Sequence, residues 1–157
     1  MLCMFFSCIY ALDRISRELH VRAGIQLTSI SHVEDVAALV AAGVGNPAAV
    51  GQHYNACCDR TLTLDGAAAL VASAMGTTAE IVHYDPKQFD IPKGKGFPFR
   101  DVHFFASTDK AKRDLGWEPL HNMVEDMQEQ VKLYMDQGRD AKSIDFSVDD
   151  MILRGAR

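Results

Sequence analysis

The sequence has few cysteines, and their spacing fits no metal or redox motif. The four cysteines are Cys3, Cys8, Cys57 and Cys58, and no two of them form a C-x-x-C pair. This excludes a zinc ribbon and a thioredoxin-like motif. Adjacent cysteines such as Cys57 and Cys58 rarely bond to each other. We therefore expect reduced, partly buried thiols in an intracellular protein.

The sequence also lacks an apolar run long enough to cross a membrane. Residues 1–12 are apolar but fall well short of the ~20 residues that a span needs. They have neither the basic leader of a signal peptide nor the Arg- and Ser-rich composition of a transit peptide. Apolar residues recur at near-helical spacing up to Leu19, which predicts a helix over residues 2–19. We expect its apolar face to pack against an upstream segment or to form an oligomer, and we expect no membrane partner.

Basic residues are outnumbered by acidic residues over the whole chain but are concentrated in one stretch. The 157 residues carry a net charge of −5, with 48% hydrophobic and 24% charged residues, which is typical of a globular protein. Residues 87–113 nevertheless contain seven basic and three acidic residues. An acidic total argues against broad coating of a polyanion. One local patch facing phosphates remains compatible with it.

The alternation of strand and helix patterns predicts an α/β fold. The predicted strands are 25–30, 52–57 and 79–84, and the predicted helices are 33–44, 61 or 63 to 74, 107 or 108 to 115, and 122–137. Ser31 and Glu34 have the spacing of a capping box for the first of these helices. Residues 85–106 are rich in proline and glycine and predict a long loop.

We divide the chain into three parts. Residues 1–24 form the apolar helix left from an upstream domain, residues 25–138 form a C-terminal α/β subdomain, and residues 139–157 form a polar tail with a short turn near 148–153. Three strands are few for an open parallel sheet, so we interpret the chain as the C-terminal part of a larger α/β protein.

Four motifs in this order resemble the extended short-chain dehydrogenase/reductase family, the NAD-dependent epimerase/dehydratases. They are His32-Val-Glu-Asp-Val-Ala37, Tyr54-Asn55, Thr61–Leu64, and Asp109-Lys-Ala-Lys112 followed by Leu115-Gly-Trp-Glu-Pro119. The resemblance implies the C-terminal part of a Rossmann-like NAD(P)-binding fold, without the N-terminal glycine-rich βαβ half.

Further strings are similar to one branch of that family, the chloroplast stem-loop binding proteins, described as RNA-binding proteins and endoribonucleases. They are Gly24–Thr28, Ile81–Lys87, Phe97–Asp101, His103–Ser107 and Asp145–Leu153. This resemblance implies a chloroplast protein that acts in RNA processing or stability. Its implied partners are stem-loop or single-stranded RNA, the chloroplast ribosome or a full-length paralogue.

Two motifs of the parent fold are missing. The sequence contains no G-x-x-G-x-x-G to receive a pyrophosphate and no Tyr-x-x-x-Lys, because Lys87 follows Tyr84 by three positions rather than four. We therefore expect no cofactor in this chain, although the full-length family leaves room for a divalent metal. The alternatives to RNA binding are the substrate-binding part of a nucleotide-sugar epimerase and a degenerate non-catalytic scaffold.

Basic and aromatic residues interleave in the predicted loop, a pattern suited to single-stranded RNA. The candidate RNA- or phosphate-binding residues are Lys87, Lys93, Lys95, Arg100, Phe97 and Phe99. For Phe104 and Phe105 we favour anchoring to the core. Asp101 and His103 are the only candidates for acid–base chemistry, and we expect the chain alone to be inactive.

Three other polar or aromatic residues of the family motifs have structural interpretations. We expect His32 to be a structural histidine at a helix start. Asp35 is expected to bond the backbone in the first helical turn, and Trp117 to lie in the core. No residue is assigned as a metal ligand.

Overall fold

A computed structural model describes residues 18–21, 24–78, 80–93, 102–141, 143 and 145–156. The fold is divided into two compact units. The first contains the described residues within 1–26, 63–103 and 127–157, and the second consists of residues 27–62 and 104–126.

The first unit is built on a parallel pair of strands. Strand β1 (Glu18–Val21) pairs with β4 (Glu80–His83), in a register that places Leu19 opposite Ile81. Helix α2 (Leu64–Ala74) begins where the Thr63 hydroxyl accepts the Gly66 amide, which confirms one of the two predicted caps. Its alanine-rich face and Val71 are buried, as the small side chains predict.

Two C-terminal helices complete this unit. Helix α4 (Met123–Asp136) buries Met123, Met127, Val131 and Tyr134, all four residues predicted for its apolar face. Its residues from Met127 onward belong to this unit. Helix α5 (Ser147–Ala156) buries Ile152. A Cβ at Gly155 would come within 2.6 Å of Phe89 Cε1, so the helix backbone lies directly against that ring.

A glycine with a left-handed backbone lies between strands β1 and β2, in the first segment of this unit. Gly24 has φ 71°, and its carbonyl accepts the Asp65 amide. A Cβ on Gly24 would overlap the Asp65 carboxylate, which itself bonds His83 Nε2 at 2.9 Å. Only glycine satisfies both the φ angle and the close approach.

The second unit has short strands and two helices. Strand β2 (Leu27–Thr28) bridges Phe104 in parallel, and it also pairs with β3 (Leu62–Thr63). Helix α1 (Val33–Gly43) and helix α3 (Asp109–Leu115) enclose a small core of Leu39, Ala111 and Trp117. Gly116 ends α3 with φ 63°, and Trp117 is buried, as expected.

The start of α1 differs from the predicted capping box. The cap is His32, whose Nδ1 accepts the Glu34 amide at 3.3 Å. The Ser31 hydroxyl instead donates to the Ala56 carbonyl. His32 therefore has the structural role predicted for it. The capping role predicted for Ser31 is wrong, because its hydroxyl donates to a carbonyl distant in sequence.

Three predicted elements also need correction. The predicted helix 2–19 lies mostly outside the described residues, and its last two residues, Glu18 and Leu19, belong to strand β1. Residues 52–57 form no strand. The predicted short turn at 148–153 is part of the longer helix α5. Among the described residues, no helix has both the length and the apolar character to span a membrane.

Candidate nucleic-acid interface

The predicted binding residues fall on both sides of a gap in the described chain. Lys87 and Lys93 are described and exposed. The remaining predicted residues, Lys95, Phe97, Phe99, Arg100 and Asp101, lie outside the described residues. His103 is described and exposed, so the structure places one of the two acid–base candidates at the surface.

Lys87 projects from a short, well-anchored 3₁₀ turn over Pro86–Gln88. The Asp85 carboxylate accepts the Lys87 amide at 3.0 Å, and Pro86 fixes the first φ angle of the turn. Phe89 ends the turn and packs edge-on against the buried Tyr84, with ring centroids 5.9 Å apart. This ring therefore anchors the loop, and the turn presents Lys87 on a fixed backbone.

Two adjacent aromatic side chains are exposed in the second unit. Phe104 is 64% exposed and Phe105 is 62% exposed. The backbone of Phe104 is held by β2, because its amide donates to the Leu27 carbonyl and its carbonyl accepts the Ser29 amide. The expectation that both rings anchor the core is wrong, since the backbone ladder holds the segment and leaves the rings in solvent.

The C-terminal part of the basic stretch is largely neutralised. Asp59 accepts hydrogen bonds from the Lys112 ammonium and, at 2.7 Å, from the Thr108 hydroxyl. The bond from Lys112 lowers the pKa of Asp59 below its ordinary value, and the same bond raises the pKa of Lys112. Arg113 Nε lies 2.8 Å from Asp114 Oδ1. Two of the seven basic residues in 87–113 are thus already paired with carboxylates.

Lys110 is held in a different way. Its Nζ donates to Gln52 Oε1 at 2.8 Å and to the His53 carbonyl at 3.1 Å, and it lies 4.8 Å from the centre of the Tyr54 ring. Burial and then the neighbouring Asp114 raise the pKa of the Tyr54 hydroxyl. These contacts fix residues 52–54 against α3 without forming a strand.

The side chains of Asn55 and Cys57 also bond the segment before α3. Asn55 Nδ2 donates to the Ser107 carbonyl at 3.0 Å, and the Cys57 thiol lies 3.3 Å from the Ala106 carbonyl. Burial, followed by the nearby Cys58, raises the pKa of Cys57. Cys57 and Cys58 are both buried free thiols, as predicted from their adjacency.

Solved structures with similar folds define the class of the fold. UDP-glucose 4-epimerase from Bifidobacterium longum, in complex with NAD+ and UDP, matches with a TM-score of 0.64 at 13% identity, over 87% of this chain and 40% of that one. RMD from Pseudomonas aeruginosa, complexed with NADPH, matches with a TM-score of 0.62 at 16% identity, over 84% and 41%. This chain therefore has one part of the Rossmann-like fold of the epimerases and short-chain dehydrogenases/reductases. This confirms the predicted fold class.

One curated relative is much closer in sequence. The chloroplast stem-loop binding protein of 41 kDa b from Arabidopsis thaliana is 44% identical over 132 residues, which is 83% of this chain and 35% of the relative. The predicted resemblance is confirmed, and this chloroplastic relative also confirms the predicted chloroplast localisation. No family model matches the chain. The chain spans about a third of the length of this relative.

Proposed function

We propose that this chain binds RNA, in stem-loop or single-stranded form, through residues 85–113. The observation that carries the proposal is the 44% identity to a stem-loop binding protein across 83% of the chain. Because the chain spans 35% of that relative, RNA binding by the chain itself needs its own test.

The distribution of charge supports this part of the chain. Within the described residues, no carboxylate pairs with Lys87 or Lys93, whereas Lys112 and Arg113 are both in ion pairs. When an exposed ammonium group with no carboxylate partner contacts a phosphate, a counterion is released from the RNA. The proposed phosphate contacts are therefore Lys87 and Lys93, with Lys95 and Arg100 added from the sequence.

Exposed aromatic rings supply the second component. Unstacked bases bind by stacking on rings, and each such contact is worth about 1–3 kcal/mol. The exposed Phe104 and Phe105 join Phe97 and Phe99 as proposed stacking positions. Sequence reasoning assigned the first two to the core, because phenylalanines in a long loop often anchor that loop.

The test measures affinity for a labelled stem-loop RNA over a series of salt concentrations. With four phosphate contacts, the slope of log K against log salt is expected at about −2 to −3, from about −0.7 for each contact. The double variant Lys87→Glu/Lys93→Glu is expected to weaken binding to all sequences alike and to flatten the slope by at least about 1.4. Unchanged binding in this variant would refute the proposal.

The matched control has the same change in charge outside residues 85–113. Lys132 and Arg154 are exposed residues of α4 and α5, and the variant Lys132→Glu/Arg154→Glu also changes the net charge by four. If this variant loses as much affinity as Lys87→Glu/Lys93→Glu, the effect comes from net charge alone. A second pair, Phe104→Ala/Phe105→Ala, is expected to weaken single-stranded RNA more than duplex RNA.

We also propose that the isolated chain does not bind NAD(P), because the sequence contains neither the glycine-rich turn nor Tyr-x-x-x-Lys. A fluorescence titration with NADPH that gave micromolar affinity would contradict this. The further proposed partners are the chloroplast ribosome, a full-length paralogue, or a second copy held through residues 2–19. Sedimentation of the chain at rising concentration tests the last of these.

A further inference from the structure

Two histidines and a glutamate from distant parts of the chain meet in the second unit. His32 caps α1, Glu34 lies in its first turn, and His121 follows 87 positions after Glu34. One potential ligand atom from each residue lies within 4.8 Å of the other two. His121 Nε2 is 3.2 Å from Glu34 Oε2, and the imidazoles of His32 and His121 stack with centroids 3.8 Å apart.

Besides the His32 cap, buried hydrogen bonds of other residues hold the backbone that carries this cluster. Asp35 is 3% exposed, and its two carboxylate oxygens accept the amides of Leu120 and His121 at 2.9 and 3.2 Å. The Trp117 indole donates to the Asp35 carbonyl at 3.1 Å. The beginning of α1 and the segment 117–121 are therefore fixed to each other by buried hydrogen bonds. These bonds bring the side chains of His32, Glu34 and His121 close together.

A fourth residue orients His121. Asp126 Oδ2 lies 3.4 Å from His121 Nδ1, on the ring nitrogen other than the one beside Glu34. A carboxylate on the far nitrogen of a histidine is the usual outer partner of a metal-ligating imidazole, since it fixes the ring and makes the ligating nitrogen more basic. The four residues thus offer two imidazoles, one ligating carboxylate and one orienting carboxylate.

We propose that His32, Glu34 and His121 form a Zn²⁺ site, with Asp126 as the positioning residue for His121. Imidazole ligands favour Zn²⁺ over the hard cations Mg²⁺ and Ca²⁺, which prefer oxygen. Two imidazoles and one carboxylate supply three ligands of a tetrahedral ion and leave the fourth position for water or another small ligand. Bound zinc would link the beginning of α1 to segment 117–121 and stabilise the second unit.

The test uses the full chain after dialysis against EDTA, titrated with Zn²⁺ by calorimetry in the presence of excess Mg²⁺. We expect one equivalent of Zn²⁺ to bind, and we expect the melting temperature to rise with zinc and return on addition of EDTA. Co²⁺ in place of Zn²⁺ is expected to give the visible absorption of a four-coordinate site.

The variants separate metal binding from helix capping. His32→Asn removes the imidazole but keeps a side chain that caps helices well, and His121→Gln retains polarity. Each is expected to weaken zinc binding at least tenfold and to abolish the zinc-dependent rise in melting temperature. His53→Ala is the matched control, because His53 is exposed and bonds Lys110 only through its backbone carbonyl. Equal zinc affinity in the parent, His32→Asn and His121→Gln would overturn the proposal, as would absence of zinc binding in the parent.

Discussion

The Asp35 carboxylate accepts the backbone amide of Leu120 at 2.9 Å, although the two residues are 85 positions apart. Asp35 was expected to bond the first turn of its own helix. It bonds the segment that follows Trp117 instead, because this carboxylate is buried beside two amides of that segment. A carboxylate in the first turn of a helix thus makes a long-range contact.

Replacing Asp35 is expected to destabilise the second unit strongly. In Asp35→Ala, the amides of Leu120 and His121 lose their acceptors, and the free energy of unfolding is expected to fall by about 2–3 kcal/mol. Asp35→Asn keeps one carbonyl oxygen and is expected to lose less. Urea unfolding followed by circular dichroism measures both. The exposed Glu129→Ala serves as the control, and an equal loss there would contradict the assignment.

Periodic, capped helices were predictable from sequence. Helices α1, α2, α3 and α4 begin and end within about two residues of the predicted bounds, because apolar spacing, capping side chains and glycines such as Gly116 act locally. Helix α5 was predicted only as a short turn in a polar tail, because the residues before it are polar. Among its residues whose burial is described, Ile152 alone is buried.

Contacts between distant residues were not predictable in the same way. Residues 52–57 alternate as a strand does, but Asn55 and Cys57 bond residues about 50 positions away through their side chains rather than through a ladder. The pairing of Lys112 with Asp59 likewise depends on the fold. His32 belongs to the His32–Ala37 motif and His121 to none of the motifs, so their proximity became visible only in the structure.

A glycine substitution tests the close approach at Gly24. Gly24→Ala combines the strain of φ 71° with overlap of the Asp65 carboxylate, which would have to leave His83. Gly76→Ala has the same φ of 71° but meets nothing within 4 Å. We expect a loss of about 1–2 kcal/mol for Gly76→Ala and a larger loss for Gly24→Ala, measured by urea unfolding. Equal losses would show that the Asp65 contact is unimportant.

The Asp59–Lys112 pair predicts a pH dependence. Because the pKa of Asp59 is lowered in the fold, its contribution to stability is present above the ordinary carboxyl pKa and is lost as pH falls through the lowered value. The pKa of Lys112 is raised in the fold, so the stability that Lys112 contributes is lost as pH rises through that value in strong alkali. The stability difference between the parent and Asp59→Asn is therefore expected to be constant near neutrality and to shrink below pH ~4. Parallel unfolding profiles down to pH ~2.5 would contradict this.

The buried face of helix α5 predicts a large cost for truncating Ile152. Ile152 is 2% exposed, so Ile152→Ala is expected to lower the free energy of unfolding by about 2–4 kcal/mol. Arg154→Ala, on the exposed side of the same helix, is expected to change it by less than about 0.5 kcal/mol. Thermal unfolding of both variants checks the difference. Similar melting temperatures would mean that α5 does not pack as described.

The buried thiol of Cys57 predicts slow chemical modification. Burial raises its pKa, which lowers the fraction of reactive thiolate at neutral pH. Reaction of a Cys3→Ser/Cys8→Ser/Cys58→Ser variant with Ellman's reagent isolates Cys57. We expect its rate in buffer to be at least tenfold below the rate in urea. Comparable rates would show that the thiol is accessible.

The parallel pairing of Glu18 with Glu80 sets a constraint on how the first unit can form. The ribosome must synthesise the whole of the intervening chain, including α1 and α2, before these two strands can meet. Local helices form within microseconds. Pairing β1 with β4 requires closing a long segment, and this costs chain entropy before any strand contact is gained. The nascent chain therefore passes through a stage in which helices can form while β1 is not yet paired with β4. During that interval, the edge of β1 that β4 will cover is open to pairing with other chains.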